Sequence, residues 1–173
     1  WFFNSKADAV TFASNQNAAV VDVASGDFVV EAGLTIQAAV DAADAGDTIQ
    51  IAAGTYAETV TVDKGVSLVG EAGTQIDGPV DVTGDDASID GIEFIQVSYD
   101  RNGAEHLNWS GDNGTLTNSV FTDTTVESND SSLWGTGEKG TITGNTFDRS
   151  NGDQGSPAVG LYGMTAVTFS NNT

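Results

Sequence analysis

The sequence predicts an all-β fold, a right-handed parallel β-helix (a solenoid) with a short N-terminal capping helix. Three observations predict it: a motif that returns at a nearly constant period, short runs that alternate apolar with polar residues, and a composition suited to turns. The motif is aliphatic–x–Gly/Asn–x–x–Phe. It reads Ile89-Asp90-Gly91-Ile92-Glu93-Phe94, Leu116-Thr117-Asn118-Ser119-Val120-Phe121 and Ile142-Thr143-Gly144-Asn145-Thr146-Phe147. A fourth copy, Phe169-Ser170-Asn171-Asn172-Thr173, stops before its aromatic, so the last rung is expected to be incomplete. First positions lie 27, 26 and 27 residues apart. Such a period marks stacked units that cannot bury their apolar faces alone.

Identical positions of successive rungs should fall above one another, about 4.8 Å apart. Ile89, Leu116, Ile142 and Phe169 then form one inward column, and Phe94, Phe121 and Phe147 another. Asn118 and Asn145 fall at a bend, where an Asn side chain bonds neighbouring backbone and tolerates a left-handed conformation. Leu107, Leu133 and Leu161, spaced by 26 and 28 residues, suggest a third column. Earlier rungs are shorter: Ile49-Gln50-Ile51, Val60-Thr61-Val62, Val66-Ser67-Leu68 and Val80-Asp81-Val82 alternate at period 2.

Residues 33–173 are assigned to this coil. The stretch Thr35 to Ala43 reads as a short amphipathic helix, with Ile36, Ala39, Val40 and Ala43 on one face, Thr35 as cap and Gly46 as terminator. It should lie over the first rung and cover the exposed strand edges there. Residues 1–32 form an N-terminal extension with strand-like runs at Ala9–Phe12 and Phe28–Val30, whose place in the coil the sequence does not give. The rung that breaks off at Thr173 implies either a longer chain or self-stacking on a neighbour.

Composition narrows the function. There are 21 Gly and 2 Pro among 173 residues, which suits many turns, and no Cys, which excludes disulfides and thiolate metal sites. Acidic residues number 25, of which 18 are Asp, against 5 basic ones, for a formal charge of −20. A nucleic-acid partner is excluded on that charge, anionic membrane surfaces are disfavoured, and no apolar run is long enough to insert in a bilayer. Self-repulsion should weaken the fold at low ionic strength, so the melting temperature is expected to rise as NaCl is added.

The segment Leu34 to Gly78 resembles the opening of pectin-lyase-like β-helix proteins. The shared elements are the short helix, Ala45-Gly46-Asp47-Thr48-Ile49, Ala53-Gly54-Thr55-Tyr56-Ala57-Glu58 and Val66-Ser67-Leu68-Val69-Gly70. Ile142 to Phe147 is similar to the generic repeat of that superfamily, and the likeness spans about residues 34–173. It implies the fold and leaves function open among lyases, hydrolases, esterases, epimerases, adhesins and spikes. Gly54-Thr55-Tyr56-Ala57-Glu58 also resembles the Gly-x-Tyr-x-Glu motif of pectin methylesterases. The catalytic stretches of that family do not occur here, so Tyr56 and Glu58 are read as turn and packing residues.

No constellation of catalytic residues converges in the sequence. Lys139 and Arg149 share one rung, and Asp123 should stack beside Arg149; a proton-abstracting base is one reading and a surface ion pair the other. His106 has no Ser or Cys partner motif and reads as an exposed polar residue, with a catalytic role as the alternative. Acidic loops at Asp85, Asp86, Asp148 and Asp153 offer oxygen ligands to calcium, but neither loop fits a known calcium motif, and no cofactor is required. Trp109, Trp134 and Tyr162 stand beside the leucine column. If the leucines point inward, the residue after each points out, which turns Trp134 and Tyr162 to solvent as a glycan-binding face. The expectation is therefore a non-catalytic extracellular or cell-surface β-helix (adhesin, filament or spike) with a polysaccharide partner. The competing expectation is the N-terminal part of a lyase or epimerase acting on acidic polysaccharide.

Overall fold

The computed structural model describes residues 20–22, 27–30, 34–96, 106–123, 132–148 and 158–173. Strands β1 (Val20–Asp22) and β2 (Asp27–Val30) precede helix α1 (Ile36–Ala42). Each following turn of the coil then contributes three short strands. These are β3 (Thr48–Ile51), β4 (Gly54–Tyr56) and β5 (Val60–Val62); β6 (Ser67–Gly70), β7 (Thr74–Asp77) and β8 (Val80–Val82). Then come β9 (Ser88–Asp90), β10 (Glu93–Gln96) and β11 (Leu107–Trp109); β12 (Thr115–Thr117), β13 (Val120–Asp123) and β14 (Leu133–Gly135). The last are β15 (Thr141–Thr143), β16 (Thr146–Asp148), β17 (Val159–Leu161) and β18 (Thr168–Ser170).

Three sheets result. Sheet A runs β1-β2-β3-β6-β9-β12-β15-β18, sheet B runs β4-β7-β10-β13-β16, and sheet C runs β5-β8-β11-β14-β17. Every pairing is parallel except β1 on β2. The chain is thus a parallel β-helix.

Register fixes the core. Ile49, Leu68, Ile89, Leu116, Ile142 and Phe169 stand directly over one another in sheet A. The first five are buried, and Phe169 is 49% exposed because no described strand lies beyond β18. In sheet B the inward column is Tyr56, Ile76, Phe94, Phe121 and Phe147. Its phenyl rings stack with centroids 4.7 and 4.8 Å apart and planes 11° from parallel. That separation is the strand spacing itself, so the ladder imposes the stack, and each pair adds about 0.5–1.5 kcal/mol beyond burial.

Sheet C carries two inward columns. One is Val60, Val80, Leu107, Leu133 and Val159; the other is Val62, Val82, Trp109, Gly135 and Leu161. Leu161 therefore does not continue the Leu107–Leu133 column. It registers on Gly135, and Val159 takes the expected leucine position.

The corners repeat as strictly as the strands. Between sheets A and B, Gly91, Asn118, Gly144 and Asn171 all have positive φ, at 70°, 49°, 70° and 55°. The next residue in each rung supplies a second ladder: Ile92 N–H donates to Ser119 Oγ at 3.3 Å, Ser119 N–H to Asn145 Oδ1 at 2.9 Å, and Asn145 N–H to Asn172 Oδ1 at 2.9 Å. The two roles expected jointly of Asn118 and Asn145 are thus divided. Asn118 supplies the left-handed turn, while Asn145 supplies the buried bonds.

Between sheets C and A, the carbonyls of Val62, Val82 and Trp109 each accept two N–H groups, from Thr83 and Gly84, Ser110 and Gly111, and Thr136 and Gly137. This folds the corner so tightly that a side chain at Gly111 would land on the Gly84 carbonyl oxygen, and one at Gly137 on that of Gly111. Here glycine supplies space rather than a left-handed dihedral.

The N-terminal end is closed by four side chains, those of Thr35, Glu58, Lys64 and Gln37. Thr35 caps α1 through Oγ1, accepting from Ala38 N–H at 3.3 Å, and the predicted face of Ile36, Ala39, Val40 and Ala43 is buried. Glu58 accepts from the N–H groups of Ile36 and Gln37 at 2.8 and 3.1 Å, and Lys64 Nζ donates to the carbonyls of Asp41 and Ala43 at 3.3 and 3.0 Å. Gln37 meets the edge of β5, accepting from Thr61 N–H at 2.6 Å and donating to Thr61 O at 3.3 Å. A side-chain amide thereby imitates the strand that would otherwise pair there, which blunts the open edge. The helix fills the expected stretch from cap Thr35 to cap Ala43, but it ends because Ala43 becomes extended; Gly46, expected as its terminator, instead turns the chain into β3 with φ 97°. Sheet A is extended by β2, which holds the expected Phe28–Val30 strand, and by β1. The other expected strand, Ala9–Phe12, lies outside the described residues.

Candidate functional site

The polar groups on the outer faces of sheets A and B bond largely to one another along the axis. On sheet A, Ser88 Oγ donates to Ser67 Oγ at 2.8 Å, Thr117 Oγ1 to Asp90 at 2.6 Å, and Thr143 Oγ1 to Ser170 O at 3.0 Å. On sheet B, Thr55 bonds Gln75 at 2.9 Å, and Gln75 and Thr122 both donate to Glu93, at 2.8 and 3.1 Å. Ladders of this kind stabilise the stack and occupy the groups that a ligand would need.

Sheet C differs. Its outward column is Thr61, Asp81, Asn108, Trp134 and Gly160. Asn108 Nδ2 donates to Asp81 Oδ1 at 3.3 Å, and the column then changes from polar to aromatic at Trp134. Gly160 registers over Trp134 and has no side chain. The Tyr162 ring takes that place, stacked on the indole with centroids 5.2 Å apart and planes at 18°. Tyr162 is 72% exposed, and among the described residues it is the one large aromatic side chain turned out of the core with most of its surface in water. Beside the pair, Thr83, Ser110 and Thr136 follow their strands as exposed residues on successive rungs, with Ser110 Oγ donating to Val82 O at 3.4 Å. An uncovered ring face, a column of hydroxyls and the Asp81–Asn108 pair thus lie along one side of the coil.

The remaining candidates are dispersed. Trp109 lies inside, 5% exposed, and is not part of the face. It stands two residues from the inward Leu107, so strand alternation turns both into the core. Gly114 makes room for its indole, and only about 10 Å³ of space remains among Trp109, Leu116, Leu133, Ile142 and Met164. His106 is buried rather than exposed, edge-on to Phe121 at 6.4 Å, at the corner leading into sheet C.

Lys139 sits exposed at the corner between sheets C and A with φ 55°. In neighbouring rungs its place is taken by Asp86, Asn113 and Ala166, at φ 59°, 57° and 56°. What recurs is a backbone conformation, and no side-chain chemistry is shared. At that same corner, Asp85 accepts from Asp112 N–H at 2.9 Å and Asp112 from Glu138 N–H at 2.8 Å. These acids brace turns. Among the described residues, no group of three His, Cys, Asp or Glu is arranged to hold a metal ion. Asp148 is exposed on β16, whereas Arg149, Asp153 and the side chain of Asp123 lie outside the described residues.

The Gly54-x-Tyr56-x-Glu58 motif is accounted for by packing. Tyr56 is buried, its hydroxyl donating to Ala52 O at 3.0 Å with Val30 O at 3.3 Å, while Glu58 caps α1. Burial, and then the nearby carboxylates of Glu58 and Glu71, raise the Tyr56 pKa above its ordinary value. No helix among the described residues is long and apolar enough to cross a membrane. No known protein family, curated protein or solved structure matches this chain.

Proposed function

We propose that this chain is a non-catalytic extracellular β-helix, of the adhesin, surface-filament or spike kind, that binds glycan along the outer face of sheet C. The observation that carries the reading is the exposed Tyr162 ring stacked on Trp134 beside a column of exposed Ser and Thr residues. Sugar rings present apolar C–H faces to aromatic rings and hydroxyls to Asn, Asp, Ser and Thr, and this face offers both kinds of partner. The likeness of Leu34–Gly78 to pectin-lyase-like proteins fits the reading, since carbohydrate recognition is common on that scaffold.

Retention on a glycan array tests it. Trp134→Ala combined with Tyr162→Ala should abolish retention while leaving the melting temperature close to that of the parent, because both rings lie outside the core. Unchanged retention would rule this face out. The competing reading, a lyase acting on acidic polysaccharide, is tested by incubation with pectate and alginate in the presence of calcium. Unsaturated ends absorbing in the ultraviolet would replace the non-catalytic reading with that one.

A further inference from the structure

We infer that the glycan taken by this face is neutral and carries no carboxylate or sulfate groups. The inference rests on the sheet C reading and names the class of polymer that this face accepts.

Recognition of an acidic polysaccharide needs cations placed against its charges, either Arg or Lys forks or a bridging metal. Among the described residues the only Lys or Arg side chains are Lys64 and Lys139. Lys64 is committed to the helix carbonyls of Asp41 and Ala43, and Lys139 stands at the bordering corner beside Glu138, one cation against the three acids Asp85, Asp112 and Glu138 there. The face itself carries Asp81 in its outward column, with Asp63 exposed just past β5.

Along the bordering corner run Asp85, Asp112 and Glu138, one acid per rung. Two of them are fixed in place by backbone N–H groups of the following rung. A polyuronate lying along the axis would bring its own carboxylates beside this acidic edge. At physiological ionic strength screening acts over about 8 Å, longer than the roughly 4.8 Å between rungs, so the repulsion persists. The chain as a whole bears −20, which adds to the exclusion. What the face does offer, a ring stack and uncharged hydroxyls at Thr83, Ser110 and Thr136, suits a polymer of neutral sugars.

Affinity electrophoresis of the full chain tests this, with gels containing hydroxyethylcellulose or galactomannan as neutral probes and polygalacturonate or alginate as acidic ones. Acidic gels are run with and without calcium. A neutral polymer should slow the protein, with little change on adding NaCl, and Trp134→Ala/Tyr162→Ala should weaken the retardation by about tenfold or more. Acidic gels should give none. Retardation by polygalacturonate or alginate that disappears in the double variant would overturn the neutral class while leaving the binding face intact. No retardation by any of the four polymers, or retardation indifferent to the double variant, would overturn the face and this inference with it.

Discussion

Replacing Gly137 by Ala should cost about 3 kcal/mol or more and lower the melting temperature by roughly 6–12 °C, as read by calorimetry or circular dichroism. The added methyl meets the Gly111 carbonyl oxygen, which is backbone and cannot swing away as a flexible side chain would. Relief requires the two rungs to separate at a corner where the Trp109 carbonyl already accepts two N–H groups. Because each rung contacts mainly its neighbours, a misfit there weakens coupling between the two halves of the stack. Gly111→Ala should behave alike, since its methyl would meet Gly84. Gly163 is the control. It lies 26 residues on from Gly137 with φ 72° and nothing within 4 Å of an added Cβ. Asn, which tolerates that conformation at residues 113, 118 and 171, should cost no more than about 1 kcal/mol there. Equal losses at Gly137 and Gly163 would show that crowding is not the cause.

Asn145→Ala should be comparably severe. Asn145 is 1% exposed, and its side chain accepts from Ser119 N–H while donating to Leu116 O and Asn172 Oδ1. Truncation leaves a buried N–H and a buried carbonyl without these partners, at about 1–3 kcal/mol for each group. We expect a loss of about 3 kcal/mol, measured by urea denaturation with the m-value unchanged. Asn118 is the informative comparison, one rung earlier and a single position out of phase. Its side chain is exposed and its φ positive, and Gly fills the equivalent place at residues 91 and 144. Asn118→Gly should therefore lie within about 1 kcal/mol of the parent. Two asparagines in one motif thus carry different physical duties, which composition alone does not separate.

Much of the fold was legible because a solenoid writes each inward position several times. Ile89, Leu116 and Ile142 are bulky, apolar and almost equally spaced, and so are Phe94, Phe121 and Phe147. The helix was legible from one apolar stripe and a Thr cap. Its terminator was not, because Gly46 is a turn glycine, whereas Ala43 leaves the helix simply by becoming extended. β7 was obscure because Thr74 occupies an inward position. Its Oγ1 bonds Ile51 O at 3.0 Å, which lets a polar residue stand where the pattern asks for an apolar one. β1 and β2 precede the periodic region, so no repeat announces them.

The candidate site was half legible. Alternation gave Trp134 its outward direction, and the same rule, counted from Leu107, turns Trp109 inward. Nearness in sequence to the other aromatics does not put it on their face. Leu161 misled for a related reason: its spacing of 28 from Leu133 departs from the period, and that excess of two is the register shift that puts Val159 in column. The same shift places Tyr162 two residues beyond Gly160, which is why its ring can settle over Trp134. Gly84, Gly111 and Gly137, spaced by 27 and 26, mark the tightest corner of the coil in the sequence itself. The buried position of His106 was not legible, because it depends on packing against Phe121 from the neighbouring rung.

The central claim is that glycan lies along sheet C over the Trp134–Tyr162 stack. A titration of ¹⁵N-labelled protein by NMR, using oligosaccharides cut from whichever polymer retains it, tests that claim residue by residue. Shifts should concentrate at the Trp134 indole N–H and at the amides of Ser110, Thr136 and Tyr162. Ser88, Thr115 and Thr141 on sheet A, and Gln75 on sheet B, should stay in place. Shifts centred on sheet A or sheet B, with the Trp134 indole unmoved at saturation, would contradict it.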